Sequence, residues 1–165
     1  ILGDSIVQSF TDKTILAYSS SVIVLDNKTC VGNVVIKSTK GIVVSTNSVL
    51  ENTLLYAPYI IIDNNFTGTL QAFATDSLLV GSNVDLEYPS SLGLIQLNKS
   101  EQHHFISVGE ESVVDGVVIA YQLEYDFRNP IKVFDIYFWI FYTKIGICTC
   151  FSPLLIPIIH LYDFI

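Results

Sequence analysis

The hydrophobic positions of this chain fall into short runs that recur. Ile42-Val43-Val44, Ile60-Ile61-Ile62 and Leu78-Leu79-Val80 begin at one constant interval, and Asn47, Asn65 and Asn83 follow them at a constant distance. Thr39, Ala57 and Thr75 precede the three runs, so a small residue belongs to the same register. Apolar runs of this kind, broken by Gly, Asn, Asp, Ser and Thr, predict strands between tight corners. A helix would need an apolar stripe at spacings of three and four sustained over several turns, and the repeating part of the chain has none. Val, Ile and Thr are frequent, and their stiff branched side chains favour strands. A fixed period built from such residues predicts a β-solenoid: an all-β, single-stranded parallel β-helix with about 18 residues per rung.

The same grammar extends in both directions. Residues 1–12 read as a polar lead-in, and the first rung begins near Thr14 with Ile15-Leu16-Ala17. Asn27 precedes Asn47 by two positions more than the period, which places a two-residue insertion near Cys30-Val31-Gly32. After Asn83 the period loosens. Tyr88 to Gly93 reads as a longer corner, Leu94-Ile95-Gln96-Leu97 as a strand, and Asn98 to Phe105 as a polar excursion. Order returns at Ile106-Ser107-Val108 and in Val113 to Tyr121, which echoes Val31 to Ile36; Asn129-Pro130 marks a turn. The aligned asparagines suit corners because Asn tolerates left-handed backbone. Either their amides bond from rung to rung as a ladder, or each serves its own turn.

Composition divides the chain in two. Residues 1–131 hold the repeat and the whole net charge of −8, since Lys132 and Lys144 balance Asp135 and Asp163 in residues 132–165. With 50% hydrophobic and 15% charged residues, disorder is not expected over most of the chain. An acidic body repels phosphate backbones, which argues against nucleic-acid binding. From Ile131 the Gly, Asn and Ser corners disappear, and Ile145 to Ile159 carry no charge. This hydrophobic tail reads as a frame-shifted segment, a membrane-associated segment or a packed terminal element. Lys144, Pro153 and Pro157 count against a simple membrane helix. The chain has no methionine and starts without a basic-then-apolar leader, so a mature form or fragment is expected, with any N-terminal anchor upstream.

The chemistry-bearing residues are few. Carbohydrate-cleaving β-helices need carboxylates on neighbouring rungs of one face. In the repeat register, Asp63 falls beside Ser45 and Gly81, Asp76 beside Pro58 and Leu94, and Asp85 beside Thr67 and Val49. No acid stacks on another. His103-His104, near Glu101, Glu110 and Glu111, is the one polar cluster, and adjacent residues of an extended segment point to opposite sides, against a shared metal ion. Cys30, Cys148 and Cys150 match no zinc or redox spacing. Three glycosylation-type triplets, at Asn27, Asn65 and Asn98, are expected by chance in such a composition, and corner roles suit two of the asparagines. No catalytic, metal or cofactor-binding residue and no cofactor is therefore expected.

The same period is also three hexapeptides, the coil of left-handed acyltransferases. Val80-Gly81-Ser82-Asn83-Val84-Asp85 suits that pattern, and His103 or His104 could then serve as general base. Gly68 and Ala74 interrupt the hexapeptide repeat in one phase, and Ser48 and Ser90 in another. The stretch from Leu54-Leu55-Tyr56-Ala57-Pro58 to Leu92, with Phe73-Ala74-Thr75-Asp76-Ser77 and Tyr88-Pro89-Ser90, resembles solenoid regions of bacterial envelope proteins. Over residues 31–125 the triangular rungs are similar to bactofilins. That resemblance implies right-handed coiling and a non-enzymatic scaffold or interaction role. It also implies a bacterial-envelope location, or a cytoplasmic scaffold, with self-association or protein partners at faces and ends. A carbohydrate-active or acyl-transferring enzyme is the competing expectation.

Overall fold

The computed structural model describes residues 3–96, 104–122 and 136–139. Among these the chain is all-β, with no helix, and its strands join in one largely parallel sheet. Three short strands come first, β1 (Ser5–Gln8), β2 (Ile15–Ser19) and β3 (Ile23–Leu25). They pair with β4 (Thr29–Gly32), β5 (Val34–Ser38) and β6 (Gly41–Val44), and these with successive parts of β7 (Val49–Ile62). β7 pairs along its length with β8 (Thr67–Val80). β8 pairs with β9 (Asp85–Gln96) and, at its end, with β10 (Phe105–Val108), while β11 (Val113–Gln122) returns to β9.

The repeated triplets set this register. Ile23, Ile42, Ile60, Leu78 and Ile106 are parallel neighbours in one column, and Leu25, Val44, Ile62, Val80 and Val108 form another two positions on. Strand alternation turns both columns to the same side. Leu25, Ile42, Val44, Ile60, Ile62 and Leu78 have no solvent exposure, and each such burial stabilises by about 1.5–3 kcal/mol. A third inward column runs through Ala17, Ile36, Leu55, Ala72, Leu92 and Val118. The buried members of these columns meet in one core cluster with Cys30, Leu50 and Leu86. Gly68, beside Leu86, offers no side chain to that core; a Cβ there would meet the Leu50 carbonyl oxygen first and the fully buried ring of Phe66 next.

Four expectations change. Ser5 to Gln8 of the supposed lead-in form β1, which pairs with β4 through Ser5 and Thr29. That step is longer than the repeat, so the period could not reveal the strand. Ala57 pairs with Ala74, not Thr75, because an irregularity between Ala57 and Tyr59 shifts the register by one. Tyr88 to Gly93 is no corner: it lies inside β9, where Glu87 to Ser90 oppose only Thr69 and Leu70. The surplus residues bulge outward at the cis Tyr88–Pro89 bond, and Tyr88 is 74% exposed. Finally, Asn27, Asn65 and Asn83 adopt left-handed backbone but Asn47 does not. Their neighbour Asn64 makes the cross-link between passes, its Oδ1 accepting from the Ser82 amide at 2.8 Å.

The serines that break the hexapeptide pattern are structural. Ser48 is buried; its Oγ donates to the Leu25 carbonyl at 2.7 Å and accepts from the Lys28 amide at 3.5 Å. Ser90 accepts from the Leu70 amide at 3.2 Å, and Ser112 links the Gly81 carbonyl to the Val84 amide in the manner of Ser48. Such hydroxyls satisfy backbone groups where the ladder is interrupted. Ser48→Ala should therefore lower stability by about 1–3 kcal/mol, seen as a reduced urea midpoint with an unchanged slope.

Of the tail, Ile136–Trp139 forms β12, antiparallel to Val118–Tyr121 of β11. Its remaining residues, the Asn129-Pro130 turn and most of the Asn98–Phe105 excursion lie outside the described residues. Among the described residues no helix is long and apolar enough to cross a membrane.

Candidate functional site

Each apolar triplet places its first and third residues in the core, so its middle residue must face out. Val24, Val43, Ile61, Leu79 and Ser107 are parallel neighbours in that outward column. Beside it runs a second outward column, Gly41, Tyr59, Ser77 and Phe105. Neither contains a charged residue. Val24 and Phe105 are 58% and 47% exposed, while Val43, Ile61 and Leu79 are half-buried by their own lateral contacts. The Tyr59 ring lies across Gly41, occupying the place of the missing Cβ, which smooths this face.

One border of the uncharged face is the corner at which the strands turn. It carries Asp26, Asp63, Glu110 and Glu111, none of which forms an ion pair with another described residue. Lys28, the cation at that corner, is committed to Asp4 at 2.7 Å and holds the Asp4 carboxyl below the usual carboxylate range, by hydrogen bond first and charge second. Where corner and face meet lies a groove of about 490 Å³. Ile61 and Leu79 line it together with the polar Thr46, Asp63, Asn64 and Asn65.

A second hollow, of about 540 Å³, opens at the free edges of β1–β3, with Ile6, Ile15, Ala17 and Ile23 in its wall. Val7, Phe10, Leu16 and Tyr18 nearby are each at least 60% exposed. These strands pair on one side only among the described residues, so unpaired backbone and apolar surface coincide there.

Among the described residues, those weighed for catalysis do not assemble. The side chain of His104 is only 10% exposed; its Nδ1 meets the Thr75 carbonyl at 3.0 Å and stands 3.9 Å from Asp76 Oδ1. Its Nε2 is buried without a hydrogen-bond partner among the described residues. His103 and Glu101 lie outside the described residues, whereas Glu110 and Glu111 are exposed at the corner. Asp85 pairs with Thr67 as its spacing predicts and with Val113 on its other side, and Asp76 lies off the ladder, since Leu94 pairs with Ala74. Among the described residues no three His, Cys, Asp or Glu side chains group as metal ligands. Cys30 is buried, which pushes its thiol above the ordinary value despite the charge of Lys28. A thiol reagent should modify Cys30 only on unfolding, a contrast that mass spectrometry with and without urea will show.

No protein-family model, curated protein or solved structure matches this chain. The outward apolar face was legible in principle, because three consecutive apolar residues on a strand cannot all face one core. The acidic border was not, since Asp26, Asp63 and Glu110 are far apart in sequence and are brought to one corner only by the register.

Proposed function

We propose that the chain winds as a right-handed parallel β-solenoid of about 18 residues per rung and serves as a non-enzymatic scaffold or interaction module, of the bacterial-envelope, bactofilin-like kind. The successive parallel pairings of Ile23 with Ile42, Ile42 with Ile60 and Ile60 with Leu78 support the coil. Parallel crossovers are right-handed in about 98% of cases, which supports its hand. The observation that carries the functional reading is the outward column Val24-Val43-Ile61-Leu79, a flat apolar face in register beside the core. A monomer keeps contiguous apolar patches small, and a larger one bordered by polar residues is the signature of a protein contact. The free edges of β1–β3 offer a second place for association.

The test is association itself. Val43→Asp combined with Leu79→Asp should reduce self-association or partner cross-linking at least tenfold, with the melting temperature preserved. Sedimentation over a concentration series reads the first, and cross-linking of the purified protein in extract of its source cells reads the second. A parent chain that is monomeric throughout and cross-links no more than the double variant would refute an interaction role.

A further inference from the structure

From the groove beside Ile61 and Leu79 we infer that the partner is a protein segment that is both apolar and basic: an extended peptide that carries aliphatic and Lys or Arg side chains on one face. This rests on the reading of the chain as an interaction module and names the chemistry of its partner. The apolar half of the requirement comes from the two uncharged columns. Their parallel neighbours, spaced about 4.8 Å apart, give a face roughly 20 Å long. Apolar side chains of a partner gain by covering Val24, which is exposed, and the exposed remainder of Val43, Ile61 and Leu79.

The basic half comes from the corner. Asp26, Asp63, Glu110 and Glu111 border the face without a neutralising cation among the described residues, because Lys28 is bonded to Asp4. Asp63 lines the groove itself, together with Ile61 and Leu79. An occupant that lays an aliphatic residue on Ile61 brings the side chain two positions along, which shares that face, to Asp63. A cation there is attracted and an anion repelled, which governs partner choice more than total affinity. A second copy of this chain fits less well. Against the four acids, the opposite border of the face offers the exposed Lys40, and Asp76 shares that border. A net charge of −8 adds general repulsion between copies. An anionic lipid surface meets the same repulsion.

The probe is a fluorescein-labelled peptide of about eight residues with valine and lysine alternating at the odd positions and serine at the even ones, which in extended form carries valine and lysine on one face. Fluorescence anisotropy with the full chain should show saturable binding that weakens as salt rises. The valine–serine analogue should bind less tightly and the valine–glutamate analogue not at all. Asp63→Asn should weaken binding about threefold to fivefold, the range of one exposed ion pair. Ile61→Ser or Leu79→Ser should weaken it about tenfold. Tyr88→Ser, on the β9 bulge, should change nothing. Melting curves that match the parent establish that each variant is folded.

Equal binding of the glutamate peptide, or equal loss in Tyr88→Ser, would overturn the proposal. So would a self-association that Ile61→Ser abolishes and the lysine peptide does not displace. That last result would leave the interaction reading standing with a second copy as the occupant, whereas failure of every association measurement would remove both.

Discussion

Ile60→Asp should leave the chain unable to fold, while Ile61→Asp should fold with nearly unchanged stability. The two isoleucines are adjacent and share one triplet. Ile60 has no exposure and sits between Ile42 and Leu78 in the core. A carboxylate there has no cation or donor, and an isolated buried charge costs several kcal/mol even after relaxation. That is comparable with the entire stability of an ordinary domain, about 5–15 kcal/mol. Ile60→Ala is the graded version and should cost about 2–5 kcal/mol. Ile61 faces out, so its substitution falls near the surface norm of about ±0.5 kcal/mol. Circular dichroism and urea titration of the parent and the three variants decide this. Equal losses at both positions would mean that the alternation assigned to β7 is displaced by one residue.

The second large effect is expected at Gly116. A Cβ there would overlap the Ser90 carbonyl oxygen, a backbone atom that cannot rotate aside. Gly116 pairs with Ser90 at the point where β11 skips past the bulge of β9, and the two backbones approach closely because no side chain intervenes. Gly116→Ala should therefore cost about 3 kcal/mol, the upper range of overpacking, and should expose the amides of Val117 to Tyr121 to hydrogen exchange. Gly41→Ala provides the contrast. Its Cβ would meet only the Tyr59 ring, the movable end of a half-exposed side chain. Its loss should be about 1 kcal/mol or less. Global unfolding in both variants to the same extent would count against this distinction between backbone and side-chain obstruction.

Much of the architecture is carried by the triplets. Their constant spacing and period-two alternation determine that Ile42, Ile60 and Leu78 are neighbours, that Val44, Ile62 and Val80 are neighbours, and that the repeating part is built of strands. The physical reason is local: a strand buries alternate residues, and any other register would turn these aliphatic side chains to water. Ser48 and Ser90 read in the sequence as breaks in a hexapeptide pattern, because a polar residue at an apolar position carries no label for the backbone atom it will meet.

What the tertiary structure alone decided is where irregularities are absorbed and what they bring together. The surplus residues of β9 become an outward bulge at Tyr88-Pro89, and Gly116 becomes indispensable because β11 must pass it. The long step from Ser5 to its partner Thr29 hid the first strand from any fixed period. Asp63, Asp26 and Glu110 acquire a common border with Ile61 and Leu79 only through the pairing of β3, β6, β7, β8 and β10. Strand alternation acts between nearest neighbours and is written in the local sequence. Charge at a corner depends on residues that follow separate strands, and only the folded register sets their distance.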